Sequence, residues 1–397
     1  MKGFLQHGFD LSALSPSGEK NCVLMLSSGN PRMAGGVPTQ SLNRAEFLNS
    51  VGISSTIVCR GSHDWNGFQR VNDVDVLAVS PKDFKLGRWI AKQWFHPLLP
   101  HGQRIALEEL QAVKPIDFIL VTDSQCALAA VPFGKKHGVV SGHSIQGTAL
   151  MPAVLPKLLK RSSLKWERFA FDHIDISLPC SLTLLAEYER AFGHAKNFEV
   201  LYNAIDDVFQ SVDRGNRPIR KFGFVGRLEH DKRPFAMIEA TKTINVPDDW
   251  RFRMIGEGSL RAEVTKAIAN HPHRDKFELS EGFLSSRAEL AREYGEMDCL
   301  VWSSEVEGLG VAPTEAMATG LPVIGPNIVP GHELLGADYP AFADVDDFAT
   351  IGKHMVAMAS DPNLAAVCRE RGLKIAAKFR PQVTMTRLAE IIRNGGL

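Results

Sequence analysis

The run DCLVWSSEVEGLGVAPTEAMATGLPVI, residues 298–324, opens as an apolar strand, passes through a glycine-rich loop and enters a short helix. Pro313 suits the first helical position, because it lacks an N–H and its φ is preset. Gly320 and Pro322 then end the helix after about two turns. Of the four carboxylates in this mostly apolar run, two bear on the loop and the helix, Glu307 in the loop and Glu315 eight positions later. On this reading Glu307 lies at the strand's carboxyl end and Glu315 in the first turn of the helix. Gly308 and Gly310 let the backbone approach a ligand closely, and unpaired N–H groups at the helix start can bind oxygens. Carboxylates are natural acceptors for paired hydroxyls. The plainer readings are a solvated loop charge for Glu307 and a dipole-stabilising charge for Glu315, with Ala312 a poor cap.

The rest of the chain repeats this alternation of strand and helix. NCVLMLSS, STIVCR, VDVLAVS, DFILVTD and GVVSGH are short apolar or β-branched runs, with helical patterns such as 124–137 and 181–193 among them. FEVLYNA (198–204) closes the series, and the polar stretch DDVFQSVDRGNRPIRK (206–221) reads as a linker. A second series follows in KFGFVGR, RFRMIG, KFELSEG, DCLVWSS and PVIGP. The order predicts α/β architecture with two doubly wound domains. Their boundaries fall at 1–205 and 206–379, with a terminal helix over 380–397. Ligands in such sheets sit outside the carboxyl ends of the strands.

With 397 residues, 44% hydrophobic and 23% charged, the chain is of ordinary globular composition and long enough for two cores. It contains no 18-residue apolar run, and its N-terminus lacks the apolar core of a secretion signal, so a cytoplasmic protein is expected. Six cysteines show no CxxC or Cys/His spacing and read as small buried hydrophobes. Net charge is zero, but residues 1–205 carry 21 basic against 17 acidic residues, and residues 82–168 carry 13 against 6. That weak basic field suits an anionic ligand or a membrane surface better than duplex nucleic acid, and no nucleic-acid partner is expected. KLGRWIAKQWFHPLL (85–99) would place Leu86, Trp89, Ile90 and Trp94 on one helical face, with Lys85, Arg88 and Lys92 opposite. Core packing with a solvated basic face explains the pattern, and a peripheral contact with anionic membrane is the alternative. Asp73 and Asp75 imitate a metal-binding DxD, but the alternation places both on the polar face of an edge strand. HPH (271–273) lacks partners at ligand spacing, so no metal is expected.

Several of these motifs together resemble the retaining glycosyltransferases of the GT-B fold, family 4. EGLGVAPTEAMATGLPVI resembles that family's paired-glutamate segment, FVGRLEHDK (224–232) its strand–GR–x4–K element, and MIGEGSLRAEV (254–264) its GxG and helix. LYNAID (201–206) resembles its linker, with Ala204 where glycine is usual. GGVPTQSLNRAEFLNSVG (35–52), SGHSIQG (141–147) and IDISLPCS (174–181) resemble its first-domain glycine loop, His loop and following strand. RPQVTMTRLAEIIR (380–393) resembles the terminal helix that crosses back to the first domain.

The resemblance implies two Rossmann-like domains facing a central cleft. It implies transfer of a hexose from a UDP-, GDP- or ADP-linked donor to an acceptor hydroxyl, with retention and without a metal or other cofactor. Arg227 and Lys232 would stabilise the departing diphosphate. Glu307 and the backbone of Gly308, Leu309, Gly310 and Val311 would orient the hexose, and Glu315 would hold the ribose. Gly36 would meet a phosphate, and Gly256 and Gly258 would border the base. His143 would sit near the reacting sugar, although a lone histidine is more often a satisfied structural residue. A GT-B epimerase or phosphorylase, or a non-catalytic carbohydrate-binding protein, are the competing readings.

Overall fold

A computed structural model describes residues 9–26, 36–62, 65–79, 88–147, 157–215, 217–282, 284 and 286–396. The first unit runs to Tyr202. Its elements are β1 (Lys20–Met25), α1 (Gly36–Ser50), β2 (Ile53–Arg60), β3 (Gly67–Val71), β4 (Val74–Val79), α2 (Arg88–Val113), β5 (Phe118–Val121), α3 (Ala127–His137), β6 (Val140–Ile145), α4 (Lys157–His173), β7 (Ile176–Pro179) and α5 (Leu182–Phe192). The sheet order is β3-β4-β2-β1-β5-β6-β7, with only β3 antiparallel to its neighbour.

Strands covered on both faces read as continuous apolar runs, and β1 shows why. Cys22, Leu24 and Leu26 join one buried cluster with Leu42 and Leu48 of α1, while Val23 and Met25 join another with Leu107 and Leu110 of α2. Successive side chains of a strand point to opposite faces, so every β1 residue from Cys22 onward meets a core.

The second unit contains β8 (Lys221–Val225), α6 (Phe235–Thr241), β9 (Arg251–Ile255), α7 (Arg261–Ala269), β10 (Phe277–Leu279), α8 (Arg287–Glu296), β11 (Cys299–Val301), α9 (Val311–Ala318), β12 (Val323–Pro326), α10 (Val329–Leu335), β13 (Phe342–Ala343), α11 (Phe348–Ser360) and α12 (Pro362–Ala377). Its sheet is parallel, in the order β10-β9-β8-β11-β12-β13. This is a doubly wound sheet whose order reverses between β8 and β11, and the crevice outside those two carboxyl ends is where such sheets take ligands. The final helix, α13 (Pro381–Asn394), belongs to the first unit, where Leu388, Ala389, Ile391 and Ile392 enter the cluster containing Cys22 and Leu24.

Four local expectations differ from the structure. The stretch 198–204 forms only a bridge, Ser177 to Phe198, and no strand. Asp75 is not on a polar edge face. The edge strand is β3, and Asp75 of β4 is 1% exposed. It accepts hydrogen bonds from Ser15 N at 2.7 Å and Arg70 Nη2 at 2.8 Å, fastening the segment before β1. Asp73 instead sits with Asn72 in the β3–β4 turn, both at positive φ, the geometry of a type I′ hairpin. Helix α9 starts at Val311, so Pro313 is its third residue and Glu315 its fifth, beyond the first turn. Its cap is Gly310 and not Ala312.

The stretch 206–221 is not a solvated tether either. Phe209 is 0% exposed and Arg214 is 4% exposed. Arg214 donates to the carbonyls of Tyr294, at 2.8 Å, and Met297, thereby occupying acceptors at the carboxyl end of α8. Arg217 adds a 2.9 Å bond to the Met297 carbonyl, and Asp298 receives the N–H groups of Arg220 and Lys221 at 2.9 and 2.8 Å. Arg214→Ala should lower the unfolding free energy by about 2–4 kcal/mol, because buried carbonyls lose charge-assisted donors. Urea titration of the variant against the native chain measures this, and a loss below about 0.5 kcal/mol would contradict the assignment.

Candidate active site

The reversal between β8 and β11 sets the loop after β8 beside the loop after β11. The first carries Arg227, Asp231 and Lys232, and the second carries Ser304 and Glu307. The Lys232 ammonium lies 2.9 Å from Glu307 Oε1, 3.3 Å from Asp231 Oδ2 and 3.1 Å from the Val306 carbonyl. An ammonium has three donors, so these contacts occupy all of them. Asp231 Oδ2 also pairs with Arg227 Nη2 at 2.8 Å, while Ser304 Oγ donates to Glu307 Oε1 at 2.8 Å. The result is a chain Arg227–Asp231–Lys232–Glu307 of alternating sign, with no net charge.

Backbone contacts lock the two loops together. Glu305 N donates to the Asp231 carbonyl at 2.9 Å. Ser303 Oγ lies 3.1 Å from the carbonyls of both Lys232 and Arg233. Arg233 holds a left-handed φ of 52° that closes the turn. Sequence reasoning singled out Arg227, Lys232 and Glu307 but passed over Asp231. The available signal was its i,i+4 spacing from Arg227 in RLEHDK.

Glycine geometry explains the shape of this region. A Cβ on Gly310, at φ 109°, would lie 2.8 Å from Pro313 Cγ and 2.9 Å from Trp302 Cζ2. Loop and helix therefore meet there with no room for a side chain. Leu309 is buried beside it, and Val311 is 37% exposed at the helix start. A Cβ on Gly256 would meet the Gly226 carbonyl oxygen at 1.9 Å, and one on Gly258 the Leu228 oxygen at 2.4 Å. These glycines let the loop after β9 pack directly on the loop bearing Arg227, a structural use independent of any ligand.

Glu315 is 2% exposed on α9. Arg287 Nη2 meets its Oε1 at 2.6 Å, and Tyr294 Oη donates to its Oε2 at 3.2 Å. Burial pushes its carboxyl up from the ordinary range, while Arg287 and the Tyr294 hydrogen bond oppose that shift. Neither Arg287 nor Tyr294 stood out in the sequence, since only the fold brings α8 against α9.

His143 lies in the first unit. It is the fourth of six residues in β6 and does not end the strand. It is 2% exposed, and its Nε2 lies 3.2 Å from Ser124 Oγ. Its Nδ1 has no partner among the described residues. His143 lines a cavity of about 410 Å³ with Asp123, Ser124, Gln146, Trp166 and Glu167. Burial lowers its pKa to about 4, so the ring is neutral at pH 7. Gly36 begins α1, and Gly35 lies outside the described residues. So do the side chains of 85–98 that carry most of the membrane-surface pattern, although α2 begins at Arg88. Among the described residues no helix is long and apolar enough to cross a membrane, and no group of three or more His, Cys, Asp and Glu side chains is arranged to hold a metal. All six cysteines are buried, and none forms a disulfide among the described residues.

The lowered His143 pKa fixes a pH dependence. Between pH 6.5 and 4 the unfolded chain takes up a proton at this ring that the folded chain refuses, so acidification favours unfolding. The stability advantage of the native chain over His143→Gln should narrow from pH 7 to pH 4.5 in urea titrations. A gap that stays constant or widens would contradict a buried neutral imidazole.

The family described as "Glycosyl transferases group 1" matches residues 192–375. The 2-deoxystreptamine glucosyltransferase of Streptomyces kanamyceticus is 33% identical over 102 residues, 25% of this chain and 26% of that protein. The O-antigen chain mannosyltransferase B of Escherichia coli is 24% identical over 158 residues, 39% of this chain and 41% of that protein. The chain thus matches less than half the length of each relative. Among solved structures, sucrose-phosphate synthase from Thermosynechococcus elongatus superposes with a TM-score of 0.78 at 15% identity, covering 94% of this chain and 98% of that one. Anabaena HepE, solved in complex with UDP and glucose, gives 0.73 at 15% identity, covering 94% and 100%. The chain therefore has the GT-B fold, and its residues 192–375 match the glycosyl transferases group 1 family.

Proposed function

We propose that this chain is a glycosyltransferase that moves a hexose from a UDP-, GDP- or ADP-linked donor to an acceptor hydroxyl with retention of anomeric configuration. The observation that carries the reading is the Lys232–Glu307 contact at 2.9 Å outside the strand pair where the second sheet reverses. Support also comes from relatives named as a glucosyltransferase and a mannosyltransferase, and from a structural neighbour solved with UDP and glucose.

On this reading the donor lies on the second unit. Lys232 exchanges one of its three present acceptors for a diphosphate oxygen, and Arg227 faces the same group. Their fixed charge stabilises the leaving diphosphate without a metal. Glu307, released from Lys232, accepts hydroxyls of the hexose. The N–H groups at the start of α9 add positive partial charge close to it. Gly256 and Gly258 border the donor's base, and Glu315 takes the ribose hydroxyls, while Gly36 is assigned to a donor phosphate from the family resemblance alone. The acceptor occupies the first-unit cavity, where a neutral His143 serves as a hydrogen-bonding group and not as a standing cation. For residues 85–99 a peripheral contact with anionic membrane is the alternative to core packing with a solvated basic face, and flotation on anionic vesicles at low salt tests it, absence of binding ending the membrane reading.

The test is incubation with UDP-, GDP- and ADP-glucose and the corresponding mannose donors in the presence of sugar and aminocyclitol acceptors. NMR of the product's anomeric proton reads the stereochemistry. Arg227→Ala and Lys232→Ala should each lower kcat by roughly 10²-fold or more. Near-native turnover in both variants, or donor isomerisation without transfer, would overturn the reading.

A further inference from the structure

The contacts around Glu315 extend beyond the ion pair itself. Its carboxylate carries about four acceptor positions, two on each oxygen. Arg287 takes one on Oε1, and Tyr294 takes one on Oε2. Among the described residues no further donor meets either oxygen, which leaves one position on each, and that pattern suits two vicinal hydroxyls arriving together. The arrangement requires an ionised carboxylate held in one orientation, although the side chain is almost wholly removed from water. An isolated buried charge of this kind is costly unless it is paired.

Arg287 is itself held from the opposite side. Its guanidinium lies over the Phe209 ring, 4.6 Å from the centroid, and its Nε faces Asp206 Oδ2 at 3.8 Å. The stretch at 206–209 therefore fixes Arg287, and Arg287 fixes Glu315. Tyr294 completes the clamp. It is fully buried, packs edge-on against Phe209 at 5.8 Å between centroids, and its hydroxyl also lies 3.1 Å from the Ala312 carbonyl. A stacked, planar guanidinium loses little freedom when it bonds, which distinguishes this contact from one that lysine would make.

We propose that Arg287 is a positioning residue for the donor, acting through Glu315 by presenting its two remaining acceptor positions to the 2′ and 3′ hydroxyls of the donor ribose. The inference rests on the assignment of Glu315 to the ribose. Arg287 does not touch the donor itself. Its loss should weaken donor binding and leave turnover at saturating donor nearly unchanged.

The experiment pairs substitutions with hydroxyl deletions. Dissociation constants are measured by calorimetry for UDP, GDP and ADP and for their 2′,3′-dideoxy counterparts, on the native chain and on Glu315→Gln, Arg287→Ala and Arg287→Lys. The native chain should prefer one ribonucleotide over its dideoxy form by at least about tenfold. Glu315→Gln and Arg287→Ala should both lose most of that preference while binding the dideoxy form about as well as the native chain. Arg287→Lys should recover part of it, and Arg287→Ala should raise the donor KM with kcat within about threefold.

If Arg287→Ala keeps the full preference while Glu315→Gln loses it, the proposal is overturned and the ribose assignment stands. If the native chain binds a ribonucleotide but does not distinguish it from the dideoxy form, the ribose assignment fails and takes the proposal with it. If no ribonucleotide binds, the functional reading itself falls. Should Arg287→Ala not fold, as judged by circular dichroism, Arg287→Gln replaces it, and an undiminished preference there overturns the proposal equally.

Discussion

The ion pair between Lys232 and Glu307 is the contact on which the second unit's candidate site depends. Strands β8 and β11 are neighbours in space but 74 positions apart at their nearest ends, Val225 and Cys299, so only the sheet brings their exit loops together. The two side chains are only 17% and 15% exposed, so their attraction is less screened than that of an open surface pair. Asp231 makes the arrangement more than a pair, because one of its oxygens reaches both Arg227 and Lys232. Charge balance follows. The site holds two cations and two carboxylates in alternation, and an anion entering it must compete with internal partners for each cation.

A second constraint lies one layer deeper. The stretch 206–221 serves as part of the core and the carboxylate clamp, through Phe209 against Tyr294 and Arg287, and through Arg214 at the end of α8. The two sets of contacts share Tyr294, whose carbonyl accepts from Arg214 while its hydroxyl donates to Glu315. Damage to the connecting stretch would thus be felt at Glu315 without any change to Glu315 itself. This physical link between fold stability and site geometry places the segment among the structural supports of the site.

Much of the architecture was legible in the chain. The runs NCVLMLSS and DCLVWSS announced strands buried on both faces, and glycines and prolines marked their ends. Arg227, Lys232, Glu307 and Glu315 were legible as residue types at fixed spacings beside those strands. Other features were not. Asp75 looked like a solvent-facing residue because alternation cannot reveal a distant segment, here Ser15, that covers it. The start of α9 was misread because proline is tolerated anywhere in a helix's first turn, where N–H groups have no partner in any case. Arg214 and Arg287 carried no local signal, since each acquires its role only when α8 packs beside a segment dozens of residues away. Polar residues in an apparent linker look alike whether they face water or the ends of a buried helix.

The most direct test of the central claim, that the Lys232–Glu307 region receives a nucleoside diphosphate, is the unfolding free energy of the native chain with UDP, GDP and ADP. One of the three, at 100 times its Kd, should add about 2.7 kcal/mol of stability, and inorganic pyrophosphate in excess should reduce that gain. In Lys232→Ala the same nucleotide concentration should add far less. Equal stabilisation of native and Lys232→Ala chains, or no stabilisation by any of the three, would contradict it.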